Sequence, residues 1–141
     1  MSVIDANCLI LGRMASRVAK RLLQGENIVI VNADKAVISG RRLSRVKEAK
    51  RKLEIGHPKK GPFHPRRPER IISRAIRGML PRRKPRGRQA YRRLQVFVGV
   101  PQELKGQETQ RIPEADAEKL KCPYVTVGKL AAELGWAPTG E

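Results

Sequence analysis

Residues 28–31 read Ile28-Val29-Ile30-Val31, four β-branched residues in unbroken succession. The run is too short for a helix, and successive strand residues point to opposite faces, so both faces are apolar and both must be covered. A buried parallel strand with helices packed on it meets that demand. Before it, Leu11, Met14, Ala15, Val18 and Leu22 recur at three- and four-residue spacing, which predicts an amphipathic helix with Gly25 as its stop. Val3 to Ala6 supplies a short apolar start, strand or loop. After it, Ala36-Val37-Ile38 predicts a second short strand ending at Ser39-Gly40. Leu43, Val46 and Leu53 then draw a narrow apolar stripe along a very basic helix whose other faces must meet water or phosphate.

Further out, Pro58, Pro62, Pro65 and Pro68 punctuate residues 56–68. Each proline fixes its own φ and pushes its predecessor out of helical space, which predicts an extended, stiff arm. Pro68 to Leu80 is the clearest helix. Pro68 suits the first helical position, Ile71, Ile72, Ala75, Ile76, Met79 and Leu80 fill one face, and Pro81 prevents continuation. A short helix over Gly87 to Leu94 precedes a strand at Val96-Phe97-Val98, closed by Gly99 and Pro101. Residues 102–121 are acidic and read as an exposed crossover away from any binding face. Thr126 can cap a last helix carrying Val127, Leu130, Ala131 and Leu134, ended by Gly135, with Trp136 packing back. The fold expected is α/β: three layers, α/β/α, around a small, mostly parallel sheet of about four strands, plus a basic proline-rich arm. One domain, 1–141, is expected, with a basic segment 41–93 inside it.

The charge is not spread evenly. Lys and Arg total 31 against 13 Asp and Glu, a net charge of +18. Between Arg41 and Arg93 stand 21 Lys or Arg and three acids, Glu48, Glu54 and Glu69, so that segment carries the entire excess and the other 88 residues are neutral. Concentrated positive charge repels itself in a compact state, and its natural use is a polyanion whose condensed counterions are released on binding. Nucleic acid therefore leads. An anionic membrane surface ranks well below it, because the basic segment offers only Phe63 and Tyr91 as bulky aromatics for an interfacial helix. No stretch approaches the roughly 18 apolar residues of a membrane span, and the opening MSVIDANC lacks the basic and apolar regions of a secretory signal, so a soluble, non-exported protein is expected. Cys8 and Cys122 are far apart, which supports neither a disulfide framework nor zinc-ligand spacing and makes a reduced compartment the default.

A small nucleotide-dependent α/β enzyme is the rival reading, because a strand, a helix and a second strand followed by Asp34 suggest the opening of a dinucleotide-binding fold. The phosphate loop is missing. Leu11-Gly12-Arg13-Met14-Ala15-Ser16 contains neither G-x-G-x-x-G nor G-x-x-x-x-G-K-[ST], so Gly12 is better explained as a loop-to-helix junction. His57 and His64 sit in the arm without a nearby Cys or carboxylate, and such histidines more often stack or hydrogen-bond than act as bases. Cys8, in an apolar neighbourhood, reads as a core residue. No catalytic residue, metal ligand or cofactor is expected.

A charge run is often only a solvated face, and for the helix over 41–52 that reading has near-even weight. The arm is different. In Lys59-Lys60-Gly61-Pro62-Phe63-His64-Pro65-Arg66-Arg67-Pro68 the backbone is rigid, so little entropy is lost when the cations meet an ordered anion. Arg dominates over Lys from residue 66 to 93, matching the planar fork that binds phosphate bidentately. With few aromatics as base platforms, the expected target is folded RNA, read by shape and backbone.

The residues also resemble a family. Gly61-Pro62-Phe63-His64, Pro68, the stretch RAIRGMLP over 74–81, Arg86-Gly87 and Arg93-Leu94-Gln95-Val96-Phe97 look like large-subunit ribosomal protein L-thirteen. Asp5-Ala6, Leu11 to Ser16, Val31-Asn32-Ala33, Ile38-Ser39-Gly40 and Gly128 to Trp136 fit as well. The match runs in order along nearly the whole chain. GPFH and the closing Gly-Trp resemble the archaeal and eukaryotic branch, and the end soon after Trp136, without a basic extension, favours an archaeal source. Pro65 stands where the family suggests an aromatic residue. The resemblance implies a non-enzymatic constituent of the large ribosomal subunit, cytoplasmic and within the ribosome, supporting subunit assembly and translation. Its partners are then ribosomal RNA and neighbouring large-subunit proteins, with no membrane and no small-molecule substrate. The residues expected to lie against RNA are Lys59, Lys60, Gly61, Phe63, His64, Arg66 and Arg67 from the arm, and Arg70, Arg74 and Arg77 from the helix face. Arg82, Arg83, Lys84, Arg86, Arg88 and Arg92 follow beyond it. Gly78 reads either as a helix-packing glycine, the favoured option, or as a point of close RNA approach.

Overall fold

The computed structural model describes residues 1–137; the end of the expected domain, 138–141, lies outside the described residues. Ile28–Val31 forms the central strand, β2, and all four of its residues are buried. It lies between two parallel neighbours, β1 (Ser2–Asp5) and β4 (Leu94–Val96), with Val3 opposite Val29 and Val29 opposite Gln95. Alternation then divides the apolar side chains. Ile4, Ile28 and Ile30 enter the main core with Met14, Val18 and Leu22 of helix α1 (Leu11–Leu23) and Ile72 and Ile76 of α3 (Pro68–Gly78). Val3, Val29 and Val31 point to the opposite face, where Phe97 and Leu104 cover them. The α/β architecture with a small, mostly parallel sheet is borne out. Its second outer layer is thin, formed by the 97–104 segment with a 3₁₀ turn over Gln102–Leu104.

The strands divide between two sheets. The run predicted after β2 becomes β3 (Val37–Ser39), which pairs antiparallel with β5 (Tyr124–Thr126) and not with the parallel sheet. β5 is only three residues long, and its middle residue, Val125, alone is buried, so periodicity could not expose it. Thr126 ends β5 and caps α5 (Val127–Glu133), its Oγ1 accepting from the Lys129 N–H at 3.3 Å. Gly135 closes that helix at φ +106°, and the Trp136 N–H returns to the Ala131 carbonyl at 3.0 Å. α4 (Pro85–Arg92) and β4 both begin two residues earlier than expected, because Pro85 takes the first helical position.

Three expectations need correction. Cys8 is exposed, not core: it adopts a left-handed φ of 59°, which turns it to solvent while Leu9 and Ile10 are buried. Met79 is 45% exposed, because α3 ends at Gly78 and Met79, as its C-cap, leaves the core face. Residues 102–121 are not merely an exposed crossover. Ile112, Ala115 and Ala117 are buried, and Gln110 exchanges backbone hydrogen bonds with Val3 and Asp5 beside β1. The acidic residues between them stay outside, which hides the apolar anchor in a polar composition. No helix among the described residues is long and apolar enough to cross a membrane.

Candidate nucleic-acid interface

The basic segment leaves the body after β3 as α2 (Arg42–Glu54), a helix with no buried residue. Its stripe is too narrow to seat on a core, and Leu43 is 84% exposed. Polar ties hold it instead. Arg42 pairs with Glu133 of α5, and the Arg45 Nε–H donates to the Ser39 carbonyl at 2.7 Å. A cleft of about 430 Å³ remains between α2 and the body, lined by Leu53 of α2 on one side and by Ile71, Ala75 and Leu130 on the other. Arg45, Lys52, His64 and Arg74 line the same cleft. Arg45 and Lys52 were not among the expected site residues. The narrowness of the α2 stripe was the signal that this helix would not seat on the core and would leave an open cleft, where both cations pair with Glu48, at 3.4 and 3.6 Å.

The arm is not extended throughout. His57 and Gly61 exchange backbone hydrogen bonds at 2.9 and 3.0 Å, closing a tight turn whose tip is Pro58-Lys59-Lys60. The His57 Nδ1 accepts from the Lys59 N–H at 3.1 Å. Gly56 lies at φ +100°, and a Cβ there would sit 2.5 Å from the Gly61 carbonyl oxygen, so only glycine closes the turn without displacement. Lys59 and Lys60 are exposed at its tip. Beyond it, residues 62–67 carry no helix or strand and run to α3, with Phe63 69% exposed and His64 half-buried in the cleft. Burial, then the Arg74 and Lys52 charges, push the His64 pKa below its ordinary value, which favours the neutral ring.

On α3, Arg70 is exposed whereas Arg74 and Arg77 are half-buried. The next turn is built from main-chain bonds: the Lys84 N–H donates to Pro81 at 2.9 Å and the Gly87 N–H to Lys84 at 3.1 Å. Gly87 is buried there, and a Cβ on it would lie 2.1 Å from the Pro81 carbonyl oxygen. This close packing leaves Arg82, Arg83, Lys84, Arg86, Arg88 and Arg92 exposed. Gly78 has nothing within 4 Å of a built Cβ and is exposed, so the favoured helix-packing role is overturned.

Among the described residues, Arg67 is the one expected site cation in an ion pair, with Glu69 at 2.7 Å. Among the described residues none of the other expected site cations has an acidic partner: Lys59 and Lys60 at the arm tip, Arg66, Arg70 and the cations of the 82–92 stretch face solvent, whereas Arg74 and Arg77 are half-buried. Such a surface attracts a polyanion and offers several phosphate contacts at fixed spacing. The connection from β1 to α1 offers nothing comparable to a nucleotide. Ala6, Leu9 and Ile10 fill it and are buried, where a phosphate cradle needs exposed main-chain N–H groups. Among the described residues no three His, Cys, Asp or Glu side chains come together to hold a metal ion.

Comparison with known proteins agrees in both reach and kind. The family model described as Ribosomal protein L13 matches residues 1–103. A protein named large ribosomal subunit protein uL13 from Archaeoglobus fulgidus is 51% identical over 137 residues, covering 96% of this chain and 88% of the relative. The protein of the same name from Methanosarcina barkeri is 53% identical over 137 residues, covering 96% and 98%. That from Methanopyrus kandleri is 46% identical over 142 residues, covering 99% and 89%.

Proposed function

The chain belongs to the ribosomal protein L13 family, archaeal in type, and from that premise we propose that it binds ribosomal RNA through the solvent-facing cations of residues 59–92. It is a structural component of the large ribosomal subunit and not an enzyme, and it works in the cytoplasm within the ribosome. The observation that carries the RNA reading is the row of exposed Lys and Arg left without acidic partners, held at fixed spacing by a glycine-closed turn, a helix and a second tight turn. RNA phosphates supply the missing counter-charge, and the rigid backbone keeps the entropic cost of meeting them low. The neutral α/β body and the basic segment 41–93 act as one domain, the body orienting the cations. Neighbouring large-subunit proteins meet the chain where the RNA does not cover it.

Affinity for large-subunit RNA will fall steeply with salt. If about five of the cations neutralise phosphates, duplex-like behaviour gives a log-log slope near −4.5. Filter binding of the protein to ribosomal RNA across 50–400 mM KCl, about the range in which this term is measurable, reads the slope directly. A slope shallower than about −1 contradicts a phosphate-dominated site.

A further inference from the structure

Arg70, Arg74 and Arg77 share a face of α3, yet among the described residues only one of their side chains makes a hydrogen bond. The Arg74 Nη1–H donates to the Phe63 carbonyl at 2.8 Å. Among the described residues this is the one hydrogen bond that links residues 62–66 to the rest of the molecule. Other anchors are weak. Phe63 projects its ring to solvent, two of the neighbouring residues are prolines without N–H groups, and only His64 and Pro65 touch the cleft. Arg74 is half-buried in that cleft, and one edge of its fork is already spent on the arm.

We infer that Arg74 is a positioning residue that latches the proline-rich arm onto α3, so that Lys59, Lys60 and Arg66 are presented in one place, and is not itself a phosphate ligand. A guanidinium suits the task because its planar fork fixes the direction of the bond, and a charged donor to a carbonyl is stronger than a neutral one. The arm then reaches RNA already ordered, and the entropy of ordering it is not lost on binding. The latch itself stands on the geometry of the free protein, while its value for RNA rests on the proposed function.

Two measurements on Arg74→Gln, with Arg70→Gln as the comparison, separate these points. Limited tryptic digestion of the free protein reports the open arm through cleavage after Lys59, Lys60 and Arg66, because cleavage tracks the open population when opening is fast. Arg74→Gln should be cut there about tenfold faster than the parent and Arg70→Gln at the parental rate, while Lys20 in α1 stays protected in all three. Unchanged cleavage in Arg74→Gln overturns the latch. With ribosomal RNA, Arg74→Gln should lose affinity at the parental salt slope, because no phosphate contact is removed. Arg70→Gln should make the slope shallower by about 0.9. A shallower slope for Arg74→Gln, or undiminished affinity despite a loosened arm, overturns the positioning role. If the parent itself does not bind RNA, the proposed function fails, and the cleavage pattern still decides the latch.

Discussion

Replacing Arg82, Arg83, Lys84 and Arg86 together by Gln will weaken binding to large-subunit RNA about a thousandfold at 0.1 M salt and make the log-log slope shallower by about 3. Each phosphate contact contributes roughly 0.9 to the slope, so three or four contacts supply that loss. The fold should survive. The four side chains are exposed and none has an acidic partner among the described residues. The turn beneath them is held by main-chain bonds from Lys84 to Pro81 and from Gly87 to Lys84, which Gln leaves intact. Removing mutual repulsion among four cations favours the compact state if anything. Thermal melts and salt-matched titrations on the same preparations check both halves: unchanged affinity removes this turn from the interface, and a collapsed melt shows that the cations are structural.

Gly87→Ala will damage the same turn from beneath. The added Cβ falls 2.1 Å from the Pro81 carbonyl oxygen and 2.3 Å from its carbon, and both are backbone atoms that cannot swing aside. Overpacking of this kind costs about 1–3 kcal/mol, which for a chain of this length lowers the melting temperature by about 5–10 °C. Because the strain displaces residues 81–84, RNA affinity should fall as well, although no charge is lost. Gly78→Ala is the matched control. Its Cβ meets open space and its φ is helical, so stability should hold or rise by up to about 1 kcal/mol. A parental melting temperature in Gly87→Ala contradicts the packing at this turn. If Gly78→Ala keeps its stability but loses affinity, RNA approaches α3 at that glycine.

What could be read from the chain was whatever a local pattern forces. Ile28 to Val31 had to be a doubly covered strand, because no other element buries four consecutive β-branched residues. Pro68 and the Ile72 and Ile76 pair set the start and inner face of α3, and Thr126 with Gly135 set both ends of α5. What stayed hidden depends on partners distant in sequence. β3 joins β5 across more than eighty residues, and Gln110 is drawn to β1 by two backbone bonds that no side chain announces. Cys8 shows the limit of neighbourhood as a guide: its neighbours are buried, but one left-handed residue reverses the direction of its side chain. The cations were legible as a set from charge density alone. Their division into those facing solvent and those tied to backbone, such as Arg45 and Arg74, required the fold.

The order of the parallel sheet also sets the order in which the molecule can be completed. β1 and β2 are neighbours close in sequence, so their pairing is available early in synthesis. β4, the other neighbour of β2, lies beyond residue 93, after all 21 cations of the basic segment. A nascent chain therefore exposes its whole polycation before the third strand arrives, and one side of the central strand waits for it. Closing the long excursion between them is entropically dear at first and little dearer for each added residue, since each doubling of its length costs only about 0.6 kcal/mol. Natural variation in the length of the arm is thus nearly free for the body, and the surface that meets the polyanion can be refitted without rebuilding the sheet that carries it.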